Sequence, residues 1–121
     1  VEELKARVAR ASVGDRPPLC LHLAEKEVEA AKKFYSSNER EQAEAALEDV
    51  ATFAELDRDS AIQSHKHEKQ SEIAIRKMVR KLDDIKHTVS HEEQERLQKT
   101  IDRLQSLRDD LLEAMFAGGK K

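Results

Sequence analysis

The chain has 121 residues, 39% of them charged and only 3% aromatic, with a formal net charge of −3. That is the length of one domain, and it holds too few large apolar residues for a deep globular core, so a thin helical bundle or coiled-coil-like assembly fits better. No apolar run approaches a membrane span, and Cys20, the single cysteine, excludes an intramolecular disulfide.

Glycine and proline are absent from Leu19 to Ala117, and Ala, Glu, Lys, Leu and Arg dominate. This composition predicts an all-α protein. Residues 1–12 form a short amphipathic segment with Val1, Leu4, Val8 and Ala11 on one face, too short to hold helix without a neighbour. Val13 to Pro18 is a breaker, and its prolines suit the first turn of a new helix. The chain opens on Val1 without a methionine, which fits removal of an upstream signal peptide or trimming of the N-terminus.

An N-terminal helix is predicted over about 18–36, with a seam of Leu21, Ala24, Val28, Ala31 and Tyr35. Asn38 with Glu41 reads as a capping box that starts the next helix. From Ala43 a four–three alternation runs unbroken to Val89 through Leu47, Val50, Ala54, Asp57, Ala61, Ser64, Glu68, Ser71, Ile75, Met78, Leu82 and Ile85. It predicts one long central helix over about 39–89, roughly 75 Å long. An alternative places a fresh helix start at Asp57-Arg58-Asp59-Ser60, with Gln63 completing a cap.

Ser90 with Glu93 reads as another capping box, opening a C-terminal helix over about 91–117. Its seam is Leu97, Ile101, Leu104, Arg108, Leu111 and Met115. The flanking helices pair antiparallel with the central one at constant sums: Ala31 with Leu47 and Val28 with Val50 at one end, Leu97 with Leu82 and Leu104 with Ile75 at the other. The expected layout is a single elongated domain made of residues 1–12, a hairpin over 18–56, a hairpin over 62–117 and a frayed tail over 118–121. The flanking helices should approach each other near residues 57–64. Wide apolar stripes on such a ribbon call for a cover, from residues 1–12 or from a second copy in a homodimer.

Charge is uneven. Residues 22–59 carry eleven acids against five bases, 65–87 seven bases against four acids with three histidines, and 88–117 seven acids against four bases. No aromatic interleaves the basic belt, which argues against nucleic acid and for a solvated helix face.

The candidate chemistry is sparse. His65 and His67 flank Lys66, but on a helix their rings would point about 200° apart, so the two could not share a metal. Glu68 could join His65 on one face. His87 and His91 have the four-residue zinc spacing, but the Ser90 cap falls between them. Cys20 lies near a helix N-terminus, where a thiol can be activated, and a small buried hydrophobe is the plainer role. No phosphate loop, haem-attachment motif or nucleophile elbow occurs, so neither a cofactor nor an enzymatic activity is expected. The one expected polar layer lies in the C-terminal hairpin. Arg108 sits at a seam position opposite Ser71, within reach of Glu68 or Glu72, and would fix the register.

Tyr35, Asn38, Ala43, Leu47 and Val50 give residues 21–56 a likeness to a single tetratricopeptide-type helix pair, which implies a helical hairpin but, with one unit, no peptide groove. Val89 to Glu93 is similar to the turn motif of small helical chaperones of the bacterial periplasm, with Glu93 where that motif has glutamine. The segments Gly14 to Pro17, Ala61 to His67 and Arg108 to Leu112 resemble uncharacterised, exported bacterial helical proteins, which implies export. The expected function is thus a non-enzymatic scaffold or interaction protein whose partner is a protein or a second copy. The alternative is a periplasmic chaperone-like or metal- or small-ligand-binding protein that uses the polar middle of the long helix.

Overall fold

The computed structural model describes residues 1–119, and among these the chain is all-α with no strand. Five helices follow in order: α1 Glu2–Arg10, α2 Arg16–Ser36, α3 Arg40–Ser64, α4 Glu68–Lys86 and α5 His91–Gly119. Pro17 and Pro18 occupy the first turn of α2, where their missing N–H groups cost no helical bond. The α2–α3 turn is three residues long, with Asn38 left-handed at φ 58°. Glu39, not Asn38, stands at the N-cap of α3, and no side chain caps that end, so the expected Asn38–Glu41 box does not form. At the start of α5, Glu93 turns its carboxylate to Arg40 of α3.

The two seams are buried. Ala24, Val28, Ala31, Ala43, Leu47, Val50 and Ala54 line the first hairpin, α2–α3. Ile75, Met78, Leu82, Leu97, Ile101, Leu104 and Leu111 line the second, α4–α5. Each large aliphatic side chain buried there contributes about 1.5–3 kcal/mol relative to exposure.

The long central helix expected over 39–89 is two helices. It breaks at His65-Lys66-His67, where both histidines adopt left-handed backbone, φ 56° and 67°. The Ser64 hydroxyl donates to the Ser60 carbonyl (2.7 Å) and accepts the Lys66 N–H (3.3 Å), closing the end of α3. The alternative start at 57–60 does not occur either, since α3 runs through to Ser64.

The break folds the second hairpin back beside the first. Arg40–Glu92, Arg58–Asp110 and Lys81–Glu29 pair residues that are each 52 positions apart. A constant difference means parallel neighbours, so α3 lies parallel to α5 and α2 parallel to α4. The elongated ribbon is therefore replaced by two hairpins stacked side by side. The flanking helices α2 and α5 do not meet near residues 57–64; α3 and α4 lie between them. The expected tail is partly helix, because α5 includes Gly118 and Gly119; Lys120 and Lys121 lie outside the described residues.

Helix α1 packs on α2. Leu4 and Val8 join Cys20 and Leu23 in a small apolar cluster, flanked by Leu19, Phe53 and Leu56, that adjoins the four-helix core through Phe53.

Candidate interaction surface

The buried polar groups show which charges the fold already uses. Glu72 is 4% exposed on α4 and accepts from Arg76 at 2.6 Å and from Arg108 of α5 at 2.9 Å. The Arg76 guanidinium, with Arg108 beyond it, holds the Glu72 carboxyl below the usual carboxylate range. Arg108 also donates to Gln105 at 2.7 Å. Glu68 is half-buried and has no place in this network; its Oε2 is buried without a partner.

Ser71 does not face Arg108. Its hydroxyl donates to Asp57 of α3 at 2.8 Å, a fully buried bond across the break. Asp57 is 0% exposed, its Oδ2 has no partner among the described residues, and burial pushes its carboxyl up to about 7. Sequence reasoning placed Asp57 on the seam without giving it a role. The available signal was an acid at an apolar seam position, which needs a donor wherever it is buried. Cys20 is equally buried, and burial with the nearby Asp57 pushes its thiol up to about 12, so it is the inert core cysteine rather than an activated one.

The histidines are not brought together. His65 and His67 are exposed on the linker rather than on a helix. His87, at the C-cap of α4, faces Asp83 at 3.5 Å, and His91 faces Glu95 at 3.5 Å within α5. Among the described residues, no group of three or more His, Cys, Asp and Glu side chains is placed to hold a metal ion.

The hairpin tips are joined by charge. Arg40 reaches both Glu92 and Glu93, and Arg96 approaches Glu44 at 3.4 Å. Tyr35 projects into the same corner, where burial, with Glu93 second, raises its phenol well above its ordinary value. A cavity of about 320 Å³ opens between α2 and α4, floored by Val28 and Ile85 and crossed by the Lys81–Glu29 pair at 3.2 Å.

Several apolar residues that the sequence left beside the seams are accounted for. Leu107 is buried, Ile62 and Val79 pack against the core, and Leu56 lies under α1. Ile73, Leu112 and Phe116 stay partly or largely exposed, Phe116 at 72%. Ile73 lies on the outer face of α4 among Lys69, Arg76, Lys77 and Arg80, all exposed. These positions centre opposite the buried row of Ser71, Ile75, Met78 and Leu82. Among the described residues Lys69, Lys77 and Arg80 have no acid within 4.0 Å, whereas Arg76 is held by Glu72.

Compared with family models, with curated proteins and with solved structures, the chain matches none. Among the described residues no helix is long and apolar enough to cross a membrane.

Proposed function

We propose that this chain is a non-enzymatic helical scaffold that binds a partner protein, and that the outer face of α4 is a contact surface. The observation that carries this is the ridge of Lys69, Lys77 and Arg80 around the half-buried Ile73. Other cations, such as Arg40, Arg58, Arg103 and Arg108, are spent on acids of neighbouring helices, and what marks α4 is that its three free cations gather around one aliphatic side chain. A ridge of unneutralised cations around one aliphatic side chain suits an acidic amphipathic segment. Charge would steer the encounter and the apolar centre would add the short-range contact. No aromatic side chain interleaves the cations to stack on bases, which favours protein over nucleic acid.

The test is fluorescence anisotropy with a labelled, Glu- and Leu-rich helical peptide at low and high salt. Binding at low salt, weakened by salt and lost in Lys69→Glu/Lys77→Glu/Arg80→Glu, is expected. Equal binding by that variant, or none by either protein, removes the α4 face from the assignment.

A further inference from the structure

Helix α1 has nine residues, too few to persist alone in water, and it is held by two buried side chains, Leu4 and Val8. Both rest in the trough formed by Cys20 and Leu23 of α2 with Phe53 and Leu56 of α3. The four-helix core draws its buried residues from α2 to α5 and none from α1; only Phe53 is shared with the α1 cluster. The trough also has a charged rim. Asp49 of α3 accepts from Lys5 at 3.3 Å, and the Lys5 ammonium stands 5.9 Å from the centre of the Phe53 ring. Beside Asp49 lies Glu27 of α2, only 7% exposed, its carboxyl pushed up by burial and by Asp49. Of the two trough acids, only Asp49 is within ion-pair distance of the Lys5 ammonium. Glu2, on α1 itself, approaches the same ammonium at 3.7 Å and so draws on the one cation that α1 offers the trough.

We propose that the trough between α2 and α3 is a docking site for a cationic amphipathic helix of a partner protein, and that α1 is its built-in, weaker occupant. The matching pattern is an apolar residue, a cation directly after it and an apolar residue four positions on, as in Leu4, Lys5 and Val8. The acid excess on the rim selects for more positive charge than α1 carries, and marginal helices of this kind open locally far below the global unfolding free energy. This rests on the assignment of the chain as an interaction protein but uses a face separate from α4. Charge reversal on α4 and disruption of α1 therefore fail independently.

Cys20, the single cysteine, lies within the trough and reports its opening. The experiment is alkylation of the full chain by iodoacetamide, read by mass spectrometry, alongside far-UV circular dichroism. Leu4→Asp should raise the alkylation rate at least tenfold while the helical signal falls by no more than α1 contributes. Lys5→Glu, a milder change, should raise it severalfold. Adding a synthetic peptide of residues 1–12 to the Leu4→Asp protein should slow alkylation again. The same peptide carrying Glu2→Lys should do so at roughly threefold lower concentration, the size expected of one added partly exposed ion pair.

Alkylation that stays at the wild-type rate in both variants, or rises only in step with loss of the whole helical signal, would overturn the proposal. So would peptides that fail to protect Cys20. Light scattering that shows the wild type as a dimer whose dissociation exposes Cys20 would assign the trough to a second copy and overturn the partner.

Discussion

The two hairpins bury their acids in opposite ways. In the second, Glu72 lies between two guanidinium groups and is held ionised. In the first, Asp57 has, among the described residues, one hydroxyl donor and no cation, and its buried carboxyl holds a proton to about pH 7. The seams differ too. The first is largely alanine, which lets its helices approach closely; the second is Ile, Leu and Met, with Arg108 at its edge. A buried acid is tolerated in either setting, but one costs stability at neutral pH while the other loses it only in acid.

The largest effect that sharpens this contrast is at Arg108. Arg108→Ala removes one of two donors from a buried carboxylate and opens space beside Leu104 and Leu111, with an expected loss of about 2–3 kcal/mol; Arg76 keeps it below the full cost of breaking a buried pair. Arg108→Leu should lose less, since it refills the seam. Urea unfolding at pH 7 measures both, and equal midpoints would show that the pair adds neither packing nor register. Because the folded-state value of Glu72 is depressed, its stabilisation is present above the ordinary value of 4.5 and is lost as pH falls through the lower folded one.

Asp57 has the opposite sign. Its folded-state value is raised from 3.8 to about 7, so no penalty exists below the unfolded value, and stability is lost as pH rises across that interval. The interval converts to on the order of 4 kcal/mol. Asp57→Asn keeps an acceptor for Ser71 but brings an amide that needs partners, which takes back about 1–3 kcal/mol. The expected result is a net gain of about 2 kcal/mol at pH 8, none or a loss at pH 4, and a flatter stability profile between. A variant whose profile parallels the wild type would show that Asp57 is not the titrating group.

These two sites also mark how far the sequence could be read. Helix identity and both seams followed from apolar periodicity, because Leu, Ile and Ala spaced three and four apart leave one packing face. Glu72 and Arg108 were legible as a candidate pair because they lie in one hairpin, whose turn fixes their separation. The Asp57–Ser71 bond was not. Along a continuous helix fourteen residues span about 21 Å, and only the reversal at 65–67 brings the two groups to 2.8 Å. That reversal carries neither glycine nor proline, and the heptad phase passes through it unchanged, so the usual stop signals were missing. The pairs 52 residues apart were hidden for the same reason: they exist only once the hairpins stack.

The smallest expected effect concerns the linker that makes this comparison possible. His65 and His67 hold left-handed backbone at φ 56° and 67°, a conformation that costs a non-glycine residue about 1–2 kcal/mol. Both rings are exposed, and among the described residues neither takes part in a hydrogen bond or ion pair that a substitution would remove. Glycine relieves the steric cost but adds freedom to the unfolded chain, so each replacement should gain only about 0.5–1 kcal/mol. The two together should be close to additive, because Lys66 separates them. If instead α3 and α4 formed the continuous helix that the heptad phase allows, glycine at either position would destabilise by about 1 kcal/mol. The sign of the change in melting temperature for His65→Gly and His67→Gly therefore decides between a folded-back pair of hairpins and a straight central helix.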